Sequence, residues 1–210
     1  MVVSTVPPAF ARRGAVSTKS LMAISLWLAL VGAGFCWLAI HESRPGAAAY
    51  GPLVWPADSR LSRDRGRSTL VLFLHPHCQC SKATLDELLN AIPPYAGRVR
   101  TYVIFCKPDG TPDGCEKTAT WHRAASIGDV TVYTDENDVE RRRFGALTSG
   151  QVFLYDSHDG RLCYCGGITR ARGVAGQNPG RQAIESLLSG QPAAIYEGPV
   201  FGCPLVDPEP

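Results

Sequence analysis

The chain has 210 residues, a formal charge of +2, 45% hydrophobic and 19% charged residues. Fractions this close to average exclude a disordered or collagen-like chain. So small a charge argues against a nucleic-acid surface, and the two arginine clusters, Arg60 to Arg67 and Arg141 to Arg143, read as solvated faces.

Leu21 to Ile40, LMAISLWLALVGAGFCWLAI, runs without a charge, and as a helix its length suits a hydrocarbon core about 30 Å thick. It is read as a membrane anchor. The rival is a cleaved signal peptide, whose apolar region is shorter, about 7–15 residues; the small-residue cleavage candidate, Ala47-Ala48-Ala49, lies well past the run. Arg12, Arg13 and Lys19 before the span, against Arg44 and Arg60 after it, predict a cytoplasmic N-terminus and an outward-facing body. In a bacterium that is the periplasm, where disulfides persist. The expected organisation is a cytoplasmic segment over 1–20, a transmembrane helix over 21–40, a Pro/Gly/Ala-rich linker over 41–67 with no sustained period, and one folded domain over 68–210. Cys36, inside the span, counts as a small apolar residue.

Thr69 to Leu74 is a short apolar run expected as a strand buried on both faces. Leu85, Leu88, Leu89 and Ile92 then recur at helical spacing, predicting a helix over Cys80 to Ile92 that Pro93-Pro94 stops. A second strand is expected over Val99 to Phe105, ending at Cys106, and the loop KPDGTPDG follows. A helix over Glu116 to Ile127, a strand over Val130 to Tyr133 and a short helix over Asn137 to Phe144 come next. Gln151 to Asp156 and Arg161 to Cys165 flank Ser157-His158-Asp159-Gly160, a hairpin signal. A final helix spans Arg181 to Leu188.

This order, βαβ…ββα, predicts an α/β sandwich with a central mixed sheet behind one transmembrane helix. It resembles the thioredoxin fold. FLHPHCQCSK resembles the strand-to-helix turn that carries the reactive cysteine, FGALTSGQVFLYD the stretch leading through the first hairpin strand, and DGRL its turn. HPHCxCS, FGxxTSGQ, GGITxxRG and VFGCPL together are similar to a bacterial RedB-like group of membrane-anchored thioredoxin-like proteins.

The resemblance implies that Cys78 is the attacking cysteine, with Ser81 where a C-x-x-C partner would stand. Helix N-terminal amides favour a thiolate there, helped by protonated His77 and by Lys82. Cys80 is the natural resolving partner, in a C-x-C ring tighter than C-x-x-C and so more easily reduced. The expectation is an exposed thiol-disulfide site serving a protein or small-thiol redox partner, with no cofactor. Gly150 occupies the place where thioredoxins put a cis-proline that helps receive substrate. A peroxiredoxin reading is weaker, because His75 replaces the threonine those enzymes keep.

The alternatives are a metal carrier and a structural domain. His75, His77, Cys78 and Cys80 suit Cu(I) or Zn, and copper chaperones of thioredoxin fold exist. Cys163 and Cys165, at i and i+2 on a strand, are expected on one face as further thiolates. Cys106 and Cys115 bracket a loop that a disulfide would close. Of eight cysteines all but Cys36 lie beyond the span, an odd set. Cys203, in a tail able to fold back, could resolve Cys78 or bridge to Cys163 or Cys165. GGITRARGVAGQNPG lacks any nucleotide-binding spacing and reads as a surface loop. Trp121, His122 and His158 read as packing and surface residues, and no G-x-S-x-G elbow supports a serine hydrolase.

Overall fold

The computed structural model describes residues 17–48 and 50–205. Most of the segment expected to be cytoplasmic, including Arg12 and Arg13, lies outside the described residues, as do Ala49 and the last five residues of the tail. The chain forms two units, Met1–His41 and Glu42–Pro210. Helix α1, Thr18–Glu42, has no buried residue. At 1.5 Å per residue it is about 37 Å long, long and apolar enough to cross a membrane, a test that a signal sequence near the N-terminus also passes.

The second unit is built on a five-stranded sheet of order β3-β2-β1-β4-β5. β1 (Ser68–Leu74), β2 (Val99–Lys107) and β3 (Val130–Glu136) run parallel, while β4 (Gln151–Tyr155) and β5 (Leu162–Gly166) are antiparallel to their neighbours. β1 is central, and its uninterrupted apolar run reflects burial on both sides. Leu70, Leu72 and Leu74 enter one core layer, Val71 and Phe73 the other. The first layer is filled by α2 (Gln79–Ala91) through Leu85 and Leu88, by α3 (Ala119–Ala125) through Ala124, and by α5 (Pro179–Leu188) through Ala183, Ile184 and Leu188. A 3-10 turn over Pro93–Tyr95 follows α2, since proline has no amide hydrogen to continue its ladder.

The sheet's other face carries only the short α4 (Val139–Phe144), and a single turn and a half of helix cannot cover five strands. The segment expected to be a tether completes this layer. Leu61 is buried in it, and Trp55 packs edge-on against Phe144 and Tyr155. Leu162 N–H donates to Leu53 O, Trp55 N–H to Gly160 O, and Glu140 accepts from Ser59 Oγ and Arg60 N. The correction to the 41–67 linker has a simple cause. Its anchors are isolated apolar residues in a Pro/Gly-rich background, which gives no periodic signal although each buries substantial area.

Several boundaries move for local reasons. β2 runs on to Lys107, placing Cys106 inside the strand. Thr118 Oγ1 accepts from Trp121 N and starts α3 three residues later than expected. Asn137 and Asp138 take left-handed φ values of 59° and 54°, so α4 starts after them, with the Asp135 carboxylate accepting from Glu140 N and Arg141 N. The β4–β5 ladder shifts register at Leu154/Tyr155. That bulge breaks the alternation along β5: Tyr164 and Cys163 join one layer, Leu162 and Cys165 the other.

Candidate thiol site

Cys78 stands at the end of the β1–α2 turn as the N-cap residue of α2, with extended backbone (φ −79°, ψ 121°) and no side-chain cap bond. Its carbonyl accepts from Ser81 N at 3.0 Å. The turn is held from behind. Ser81 Oγ donates to His75 O (2.9 Å) and lies 3.0 Å from Ser149 Oγ, which accepts from His75 N at 2.9 Å. Ser81 thus fixes the loop from the place a C-x-x-C partner would occupy.

The residue facing Cys78 comes from the far end of the chain. Cys203 Sγ lies 2.8 Å from Cys78 Sγ, in a hydrogen bond between the two sulfurs. The tail that carries it pairs along the strand-like edge before β4: Ser149 N–H donates to Cys203 O and Leu205 N–H to Leu147 O, both at 2.8 Å, and Thr148 bridges Pro204 in antiparallel sense. Arg172 Nη1 donates to Gly202 O. Leu205 enters the core layer beneath the sheet. The expected exposed site is consequently covered: Cys78 is 6% exposed, with Cys80 and Cys203 half-buried beside it. A ligand atom from each of Cys78, Cys80 and Cys203 lies within 4.8 Å of the others.

Burial pushes the Cys78 thiol up, but the Cys203 side chain and the backbone N–H groups of Cys203, Cys80 and Ser81 outweigh it, and the net shift is downward. The amides of Cys80 and Ser81 at the helix start contribute behind the two Cys203 groups. His77 turns to Cys115, its Nε2 lying 3.2 Å from that sulfur, and Lys82 is exposed. Burial and the neighbouring Cys78 push Cys203 up to about 12 and Cys80 also up. Burial moves Cys106, Cys163 and Cys165 upward too. Cys78 is the thiol whose environment favours ionisation.

The remaining candidates separate. The bulge in β5 sends Cys163 and Cys165 into different layers, and neither joins the Cys78 cluster. His75 and His77 also lie outside the group of three sulfurs. Cys106 and Cys115 are free thiols. The loop between them is spanned by the Lys107 Nζ–Asp113 Oδ1 ion pair at 2.6 Å, while Cys106 lies among Asp135 and Asp138 beneath the sheet. Those two carboxylates are engaged, Asp135 with the amides that start α4 and Asp138 with Arg141, so this buried trio serves the α4 junction.

Gly150 adopts φ 95°, and its N–H donates to Phe73 O at 2.8 Å. Among the described residues no peptide bond is cis. Sequence reasoning named Cys203 as a possible resolver without placing it, and it missed Ser149 and Arg172. A Gly-Cys-Pro triplet in a tail marks a turn, and nothing in its spacing says which edge it meets.

No family model matches the chain, and no curated protein matches it. Among solved structures, a hypothetical protein from Sinorhizobium meliloti 1021 is similar at a TM-score of 0.55 and 19% identity, covering 77% of this chain and 93% of that one. An uncharacterized conserved protein from Geobacillus kaustophilus gives 0.55 and 18%, with 80% and 95% covered. ScoI of Bradyrhizobium japonicum with copper bound is a looser match, at 0.35 and 18%, covering 51% and 80%. The fold is thioredoxin-like. These likenesses concern the backbone.

Proposed function

We propose that the domain is a thiol-disulfide oxidoreductase, held at a membrane by α1 with the domain facing outward, whose attacking group is the Cys78 thiolate. The observation that carries the reading is the pairing of a depressed thiol at a helix N-terminus with a second sulfur 2.8 Å away. A thiolate attacks a disulfide sulfur through a mixed-disulfide intermediate. Cys78 S⁻ attacks a partner disulfide, the Cys78–partner bond forms, and the partner's other sulfur leaves as thiolate and takes a proton. Once Cys78 is bonded to the partner its charge no longer holds the Cys203 proton, so Cys203 releases that proton to the departing thiolate and attacks the Cys78 sulfur; the Cys78–Cys203 disulfide forms and the partner leaves as a dithiol. Two electrons pass from the domain to the partner, and the reverse sequence oxidises a dithiol. Cys203 takes the resolving role expected of Cys80 because it is the sulfur in direct contact, while Cys80 lies close enough to serve as the second acceptor. A protein thiol suits the site, since the occupied edge at Leu147 to Ser149 is main chain able to pair with an extended peptide. Likeness to the RedB-like group rests on the HPHCxCS, FGxxTSGQ, GGITxxRG and VFGCPL motifs.

The test is a set of single Cys→Ser variants of the full chain in detergent, each mixed with an oxidised partner peptide. Cys203→Ser should accumulate a mixed disulfide through Cys78, Cys80→Ser should accumulate less, and Cys78→Ser none. Equal trapping by all three variants would overturn the assignment. The runner-up reading, a carrier of copper or another soft metal, is favoured by the same cluster of three sulfurs.

A further inference from the structure

We infer that Cys78, Cys80 and Cys203 form a three-sulfur site for a single Cu(I) ion, with Cys203 supplying the third ligand from the C-terminal tail. This deepens the metal-carrier reading and is independent of thiol-disulfide exchange, because it requires all three thiols reduced and no disulfide to form.

Three features of the cluster point to the ion. First, the donors are uniform: their sulfurs lie within 4.8 Å of one another, and among the described residues no imidazole or carboxylate belongs to the group. A closed zinc site takes four ligands, and hard cations take oxygen; a soft, sulfur-only set selects Cu(I). Second, the donors are held by structure that exists without the ion. Cys78 and Cys80 are fixed by the first turn of α2, and Cys203 by the main-chain bonds that flank Pro204, from Ser149 N–H to the Cys203 carbonyl and from Leu205 N–H to Leu147 O. Third, one positive ion among three thiolates leaves an anionic centre, and a cation stands by. The cation is Arg172, on the loop that the tail crosses. Arg172 also binds the tail at Gly202 O, and its Nε is buried without a hydrogen-bond partner.

In the binding step each thiol releases its proton to solvent and its sulfur takes up the ion. Copper enters and stays as Cu(I), so no oxidant or reductant is consumed. Two ligands belong to a rigid helix start and the third to a strap, so lifting the strap lowers the sulfur count from three to two and offers a route for the ion to leave.

The experiment uses the reduced full chain in detergent, without oxygen, titrated with Cu(I) against the chromophoric chelator bathocuproine disulfonate. One ion per chain should bind in competition with the chelator, and copper X-ray absorption of the unmutated protein should show three sulfur neighbours. Cys203→Ser should leave two and weaken binding at least about tenfold, the least that even an outer-shell change costs. Cys80→Ser should do the same, while Cys163→Ser should bind as the unmutated chain does. Failure of the unmutated chain to compete, nitrogen from His75 or His77 in the absorption spectrum, or equal affinity in Cys203→Ser would overturn the site. Because the spectrum is read on unmutated protein, a folding defect in a variant cannot hide the answer. A chain that traps mixed disulfides yet ignores Cu(I) rejects the copper site alone, and the opposite pair of results rejects the exchange reading alone.

Discussion

Gly202 lies against Ser149 so closely that a β-carbon at position 202 would stand 1.8 Å from the Ser149 carbonyl oxygen. This contact seats the tail over Cys78, and any side chain at position 202 has to lift it. Gly202→Ala should therefore detach Cys203 from the site while leaving the sheet intact. The expected outcome is several-fold faster iodoacetamide labelling of Cys78 in the reduced chain, read by mass spectrometry. Unchanged labelling would mean that the tail does not cover the thiol.

The opposite shifts of Cys78 and Cys203 make a pH prediction. Cys78, depressed, should be labelled with a midpoint below the ordinary thiol value of about 8.5, and only one of the facing pair should ionise near neutrality, since Cys203 is pushed up to about 12. Cys203→Ala removes the side-chain hydrogen bond and should raise the Cys78 midpoint. The stabilisation from depressed Cys78 is complete above its unfolded pKa and is lost as pH falls through the folded one. That from raised Cys203 is complete below its unfolded pKa and is lost as pH rises toward 12. Stability owed to the pair therefore peaks near pH 8.5, and denaturant midpoints of the reduced chain across pH 6–11 check it. A midpoint for Cys78 at or above that of a free thiol would contradict the arrangement.

Glu140 is fully buried and accepts from Ser59 Oγ at 2.5 Å and from Arg60 N at 3.0 Å. Its carboxylate ties the 53–62 segment to α4, and Glu140→Ala strands both donors. The expected cost is about 2 kcal/mol, in the range for losing hydrogen bonds to a charged group. Hydrogen exchange should quicken across residues 53–62 well before it changes in β1. Uniform exchange through the whole domain would instead mean that the segment folds as one unit with the sheet.

How much of this was legible depends on range. The β1–α2 junction could be read because its signals are local: STLVLFL is buried on both faces, and leucines at helical spacing follow a cysteine that caps the helix. Only the smaller part of the Cys78 shift, from the amides of Cys80 and Ser81, belongs to that local geometry. Its partner did not, because Cys203 is 125 residues away in sequence, and tail pairing through main-chain bonds leaves no side-chain pattern. Cys163 and Cys165 misled for a related reason. Alternation puts i and i+2 on one face unless a bulge intervenes, and nothing in LCYCG announces the bulge. Trp55 and Leu61 were hidden in a Pro/Gly-rich stretch because their partners, Phe144 and Tyr155 among them, belong to distant elements.

Gly150 offers the sharpest contrast with the thioredoxin pattern. Proline requires φ near −65° and has no amide hydrogen, whereas Gly150 adopts φ 95° and donates to Phe73 O at 2.8 Å. Replacing it with the residue that thioredoxins place there should therefore damage this domain. Gly150→Pro forfeits the hydrogen bond and forces the backbone out of its region, costing about 3 kcal/mol or more; at about 2–4 °C per kcal/mol for a domain of this size, the melting temperature should fall by roughly 10 °C. Gly150→Ala keeps the amide and meets Thr84 Oγ1 at 3.0 Å, so its penalty should be smaller, about 1–2 kcal/mol for a left-handed residue with a β-carbon. Calorimetry of the two variants checks the order. A proline variant as stable as the parent would mean that the edge at Leu147 to Ser149 can adopt the thioredoxin geometry, and that the tail holds it in a different one.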